Sequence, residues 1–206
     1  MLRQLKPTLF LTLLFAVLAL PVHASSYMEP QGLVLGGSLD APVRIEVFSN
    51  FECPHCREYY LRTIKKVLKE YAEQDKVCVI YHDFPFQYHK YDRIAARYAE
   101  AAYRVGRETA LKVFDALYTD QADWIETGEL KSVLGKALSK EEFQEVMKIA
   151  EDPEIDSIID AQYQLATDKG LKSTPTSFIF YPGKEQVVDG VIAYVVLKGF
   201  IDKIVK

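Results

Sequence analysis

Strand-forming residues occur at the two ends of this chain and are missing from its middle, and that distribution limits the folds it can adopt. Val43 to Ser49 is a β-branched and apolar run, and Lys76 to Tyr81 is a second. Thr176 to Tyr181 and Gln186 to Asp189 flank the turn signal Pro182-Gly183 and can pair as a hairpin. Between Asp92 and Gly170 the apolar residues recur at helical spacing instead. A single sheet must therefore close from both ends of the chain around an inserted helical segment.

The first two strands are joined by a helix. Tyr60, Ile64, Val67, Leu68 and Tyr71 fall on one face of a helix expected from about Arg57, giving a parallel βαβ unit. Before it, Ser25 to Pro42 is rich in glycine and has room for one short strand around Leu33 to Leu35. The insertion shows about five helices. Ile94, Tyr98, Ala101, Ala102 and Val105 form one stripe, closed by Gly106, and Leu111, Phe114, Leu117 and Tyr118 a second. Leu130, Val133, Leu134, Ala137 and Leu138 form a third. Ser139 with Glu142 makes a capping box for a fourth, lined by Phe143, Val146, Met147 and Ala150. Asp152 as N-cap with Pro153 at the first helical position opens the fifth, which ends at Gly170. After Gly190 a last helix turns Leu197, Phe200, Ile201 and Ile204 inward. The fold class is α/β, in the order βαβ, helical insertion, ββα: one domain, residues 25–206, with 43–91 and 171–206 forming the sheet unit and 92–170 the insertion.

The N-terminus has the composition of an export signal. Arg3 and Lys6 precede an apolar run from Leu9 to Leu20, and Val22-His23-Ala24 offers small residues for cleavage after Ala24. The run is short for a bilayer span, and no cysteine stands at the cleavage site to take a lipid. Residues 1–24 are thus expected to be removed and the protein to be periplasmic. The mature chain would have 182 residues (206 less 24), with 23 basic groups (25 less Arg3 and Lys6) against 29 acidic ones. A net charge of −6 without a basic run excludes nucleic-acid binding and an anionic membrane surface as main functions.

Three cysteines remain, Cys53, Cys56 and Cys78, one close pair and one alone. An odd count of this kind in an oxidising compartment suits a redox centre better than a stapled scaffold. Cys53-Pro54-His55-Cys56 stands where the first strand gives way to the helix. The free N–H groups and positive dipole end of that helix favour a Cys53 thiolate over its thiol. Cys78, in Val77-Cys78-Val79-Ile80, reads as a small buried hydrophobe. A zinc site from Cys53, Cys56, Cys78 and His82 is disfavoured by the strand placement of the last two, and a purely structural Cys53–Cys56 disulfide by its short loop. Glu46 shares a strand face with Arg44 and Phe48, opposite Val43, Ile45 and Val47. A carboxylate on a buried strand is either a buried acid serving the cysteines or a partner of Arg44.

In combination these residues resemble the DsbA-type thiol:disulfide oxidoreductases of the thioredoxin superfamily. The resemblance rests on the order of elements, on Cys53-Pro54-His55-Cys56 and on Ser173-Thr174-Pro175-Thr176 before the third strand. Asp83-Phe84-Pro85-Phe86, the Ala-rich helix after it, the Trp124 region and the Gly190 corner extend it over nearly the whole mature chain. It implies a thioredoxin fold with an all-helical insertion. Cys53 would be the exposed nucleophile, Cys56 the resolving thiol, and His55 a ring close to the Cys53 sulfur. Pro175 would be a cis-proline beside the disulfide, with Thr174 next to the backbone that pairs with substrate, and Glu46 the acid beneath the disulfide that moves a proton for Cys56.

The implied activity is introduction of disulfides into reduced or unfolded exported proteins. A membrane reoxidase of the DsbB or VKOR type would restore the Cys53–Cys56 disulfide, which is itself the redox group, so no bound cofactor is called for. Thr before the proline is more familiar in isomerases, which leaves an isomerase or reductase as the alternative. The residues before Val43 are too few for a dimerisation domain, so a monomer is expected. A non-catalytic chaperone or metal-binding module of the same fold would instead keep an ordinary Cys53 thiol.

Overall fold

The computed structural model describes residues 32–206; the expected export segment, 1–24, lies outside the described residues. Five strands form one sheet in the order β1-β3-β2-β4-β5. Strand β2 (Val43–Ser49) is central. It runs parallel to β3 (Val77–Asp83) and antiparallel to β4 (Thr176–Tyr181). Strand β1 (Leu33–Gly36) adds antiparallel to β3, and β5 (Lys184–Asp189) to β4. Gly37 makes the turn after β1 possible, because at φ 78° a Cβ would lie 2.0 Å from the Val77 carbonyl oxygen.

Alternation along β2 assigns its residues to two cores. Val43, Ile45 and Val47 join Leu35, Val79 and Tyr81 in the large core shared with the helices. Phe48 lies on the other face with Phe84, Phe178 and Ala166, a smaller cluster. Helix α8 (Glu154–Asp168) supplies Ala166 and Tyr163 to that second face.

The first helix begins at Pro54, three residues before the expected start. It comprises α1 (Pro54–Tyr59), a π-turn (Tyr60–Ile64) and α2 (Lys65–Glu70). The extra residue per turn in the π segment lets the neighbours Tyr59 and Tyr60, and likewise Thr63 and Ile64, both face inward.

Six helices, rather than about five, separate β3 from β4: α3 (Asp92–Val105), α4 (Arg107–Thr119), α5 (Gln121–Thr127), α6 (Leu130–Ala137), α7 (Lys140–Ile149) and α8. The additional one is α5, too short to show a stripe, anchored by the wholly buried Trp124, whose Nε1–H donates to the Leu117 carbonyl at 2.7 Å. Two stripe residues are displaced outward. Ile94 is 42% exposed because α3 packs through its alanines, Ala95, Ala96, Ala99 and Ala102, and Ala137 is exposed at the end of α6. The capping box at Ser139 forms in full: its Oγ accepts from the Glu142 N–H (3.1 Å), and Glu142 Oε2 accepts from the Ser139 N–H (2.9 Å). At α8 the cap position moves to Pro153, though Asp152 still caps through its side chain, which accepts from the Glu154 N–H at 2.9 Å. Helix α9 (Tyr194–Ile204) buries Leu197 and Ile201 and completes the chain.

Candidate active site

The loop from Asn50 to Cys53 connects the end of the central strand to α1, and its own Asn50 with three side chains from elsewhere holds it. Asn50 Oδ1 accepts from the Cys53 N–H (2.8 Å). Asp92 Oδ1, at the start of α3, accepts from the Phe51 N–H (2.7 Å). Gln121 Nε2, on α5, donates to the carbonyls of Phe51 (2.6 Å) and Cys53 (3.1 Å). Tyr118 OH donates to the Asn50 carbonyl (3.3 Å). Asn50, Asp92 and Gln121 are each at most 3% exposed, so every one of these bonds is sheltered from water.

Cys53 is the N-cap of α1, with Pro54 at the first helical position, where its missing N–H costs nothing. The Cys56 N–H donates to Cys53 Sγ (3.4 Å), and the Cys53 thiol lies 3.4 Å from the Thr174 carbonyl oxygen. Both cysteines are thiols in the structure. Cys53 is 8% exposed and Cys56 1%. The hydrogen bond from the Cys56 thiol, aided by Thr174 and by the N–H groups of Cys56 and His55, outweighs burial and lowers the Cys53 pKa to about 5. Burial raises Cys56 well above the usual thiol range, and its neighbour Cys53 adds to that. One thiol is thus prepared to ionise and the other to stay protonated. The sequence reading set the His55 ring near the Cys53 sulfur; His55 is exposed, and it is its main-chain N–H that helps to lower the Cys53 pKa.

The second wall is the Thr174–Pro175 segment, where the peptide bond is cis. Asn50 Nδ2 donates to Thr174 Oγ1 (3.2 Å) and the Gly190 N–H donates to the Pro175 carbonyl (2.7 Å), tying this segment to the cysteine loop on one side and to the Gly190 corner on the other. Beside Cys53 opens a groove of about 280 Å³, bounded by Phe86, Tyr88, His89, Lys172 and Thr174. Tyr88 is 77% exposed and stacks on Phe86. His89, read from sequence as ordinary surface, stands in this groove, and the Asp92 carboxylate beside it raises its pKa.

Glu46 is not beneath the cysteines. Its carboxylate pairs with Arg44 (3.0 Å) and His82 (3.2 Å) on the Phe48 face, whereas Cys56 packs against Val47 and Ser49 on the other. The physical reason is the period of two along the strand: the residue facing Cys56 is Val47, so the acid one position earlier points away. Burial opposes ionisation of Glu46, but the hydrogen bond and charge of His82, with Arg44 and Lys169, bring its pKa below the usual value. Cys78 and His82 lie on that same far face, in register with Arg44 and Phe48, so the four residues weighed for zinc do not converge. Burial raises the Cys78 thiol to about 11.

Asn50, Asp92 and Gln121 were missed by sequence reasoning. Asn50 carried the one available signal, an amide three residues before Cys53 and therefore within reach of its N–H.

Comparison with known proteins agrees with this geometry. The family model described as thioredoxin matches residues 29–203. A probable disulfide bond formation protein D of Bacillus cereus is 25% identical over 158 residues, covering 75% of this chain and 71% of the relative. BdbD from Bacillus subtilis in its oxidised form superposes with a TM-score of 0.69 at 21% identity, covering 85% of this chain and 93% of that one. Pseudomonas aeruginosa DsbA2 gives 0.64 at 25% identity, covering 85% and 95%. With a matching model that spans nearly every described residue and a cysteine pair at the start of α1 facing a cis Thr174–Pro175, this chain belongs to the thioredoxin family.

Proposed function

We propose that this protein is a thiol:disulfide oxidoreductase that works as a disulfide donor, passing the Cys53–Cys56 disulfide to reduced exported proteins. The observation that carries the reading is the opposite tuning of the two thiols: Cys53 lowered to about 5, Cys56 raised by burial. A stabilised Cys53 thiolate favours the dithiol state, which makes the disulfide state an oxidant. It is also a good leaving group when a second substrate thiol attacks.

In the donor direction a substrate thiolate attacks Cys53 Sγ. The new bond joins substrate sulfur to Cys53, the Cys53–Cys56 bond breaks, and the electron pair goes to Cys56 Sγ, which takes up a proton. A second substrate thiolate then attacks the substrate sulfur of the mixed disulfide. The substrate leaves with its own disulfide, and Cys53 departs as a thiolate. Thr174 and Pro175 offer main chain beside Cys53 for an extended substrate segment, a form of strand addition. A membrane reoxidase of the DsbB or VKOR type would return the pair to its disulfide; the protein would act as a periplasmic monomer after loss of residues 1–24.

The relatives' names speak of disulfide formation, which supports donor over isomerase. A non-catalytic module would have no need of a thiol this acidic. The deciding experiment mixes the disulfide form with a reduced dithiol peptide and follows peptide oxidation. Oxidation by the parent protein and its loss in Cys53→Ser are expected; a Cys53→Ser protein as active as the parent refutes the mechanism.

A further inference from the structure

Cys56 lines a small, mostly closed cavity of about 10 Å³, the lower limit for a single water. Val47 forms part of its wall, and every polar side chain around it is a hydroxyl apart from Cys56 itself: Ser49 from β2, Tyr59 and Tyr60 from the first helix, Tyr81 from β3 and Tyr118 from α4. Among the described residues no carboxylate lines it. Three of the hydroxyls form a connected set. Ser49 Oγ lies 3.2 Å from Tyr118 OH, and Tyr81 OH lies 3.2 Å from the same oxygen. Tyr60 stacks on Tyr118, with ring centroids 4.9 Å apart, and donates from its hydroxyl to Asp115 Oδ1 at 2.9 Å. Asp115 is 43% exposed in its salt bridge to Lys65, so this wall reaches solvent.

The sulfur of Cys56 has a proton to gain when its bond to Cys53 breaks and one to lose when that bond re-forms, in a place that bulk water does not reach. The strand face that could have supplied an acid carries Val47, since Glu46 points away. Hydroxyls can both donate and accept, so a connected set can pass a proton without ionising, once Tyr118 OH turns its one proton from the Asn50 carbonyl to Ser49. Burial keeps Tyr118 and Tyr81 neutral.

We propose that Ser49 and Tyr118 form a hydroxyl relay for Cys56, the function a buried carboxylate would otherwise serve, with one water in the cavity linking them to Tyr60–Asp115 as the outlet to solvent. The relay rests on the oxidoreductase reading and specifies how its buried half works. When substrate thiolate displaces Cys56, the sulfur takes the bond's electron pair and a proton from the relay, which regains one from solvent water. In the reverse step the proton leaves by the same route as Cys56 attacks the mixed disulfide. The groups facing Cys56 are Cys53 on its own helix, the five hydroxyls named above and the Asn50 main chain.

The test mixes the disulfide form with excess 2-mercaptoethanol at pH 6. The mixed disulfide on Cys53 is followed by quenched flow and mass spectrometry, in H₂O and D₂O. General acid catalysis is commonly worth about a hundredfold or more, and with water left as a substitute donor Ser49→Ala and Tyr118→Phe should each slow the step about tenfold. They should also diminish the solvent isotope effect, while Ser49→Thr restores the rate. The pH profile of Cys53 alkylation should remain that of the parent. Rates within twofold of the parent overturn the relay. So does a slowed variant whose Cys53 profile has moved while its isotope effect has not, because that marks a displaced nucleophile. If Tyr118→Phe does not fold, Ser49→Ala, which removes one oxygen, decides alone. A parent that does not exchange at all refutes the oxidoreductase reading instead, so the two failures are distinct.

Discussion

Asn50 Nδ2 donates to Thr174 Oγ1 across 3.2 Å, joining the two walls of the site, which are 124 residues apart in the chain. The same amide accepts from the Cys53 N–H through Oδ1 and donates to the Phe84 carbonyl at 3.4 Å. One buried side chain therefore sets the distance between the nucleophile and the cis-proline segment. Asn50→Ala leaves the Cys53 N–H and the Phe84 carbonyl without this partner, at a cost of about 1–3 kcal/mol by the usual penalty for buried unsatisfied groups. The Cys53 thiol should become less acidic as Thr174 is freed. Urea unfolding and the pH dependence of Cys53 alkylation measure both effects.

Glu46 separates two roles for a buried acid. Its partners are Arg44 and His82, on the sheet face away from the cysteines. Glu46→Gln is expected to leave the rate of peptide oxidation within about twofold, while costing about 1.5–3 kcal/mol of stability, the range for a hydrogen bond to a charged group. A fall in oxidation rate as large as that expected for the relay variants would return Glu46 to the mechanism.

The two-ended sheet, the helical insertion, the reactive pair and Thr174-Pro175 could all be read from the chain because each has a local signature: alternation, helical spacing, a motif, a proline. The face of Glu46 was also legible, since alternation separates it from Val47. Which face meets Cys56 was not, because that depends on the path of the Asn50–Cys53 loop, held by groups from α3, α4 and α5. Polar residues that stabilise a loop from a distance have no periodicity. Gln121 in particular sits on a seven-residue helix too short to show a stripe.

That position makes Gln121 a test of how far the insertion supports the site. Gln121→Ala removes the donor to two buried carbonyls, Phe51 and Cys53, and the change lies on α5 rather than in the motif. Stability should fall by about 1–3 kcal/mol. Hydrogen exchange should increase in residues 50–57 while remaining unchanged in β4 and β5. Uniform loss of protection across the sheet would mean that α5 supports the fold as a whole and not the cysteine loop.

The two cysteines have opposite consequences for pH, and only one acts in the working range. In the unfolded chain both thiols titrate near the usual value of about 8.5. Folding lowers Cys53 to about 5, so between these values the unfolded dithiol chain holds more protons than the folded one and stability rises with pH. This contribution is fully present above the unfolded pKa and is lost as pH falls through about 5. Cys56, raised by burial, is protonated in both states below pH 8 and adds no slope there. The dithiol protein should therefore become steadily more stable relative to the disulfide protein from pH 5 to pH 8, in paired denaturant titrations. In Cys53→Ser the slope should vanish; if it persists, another group is responsible for it and Cys53 is not the acidic thiol of the pair.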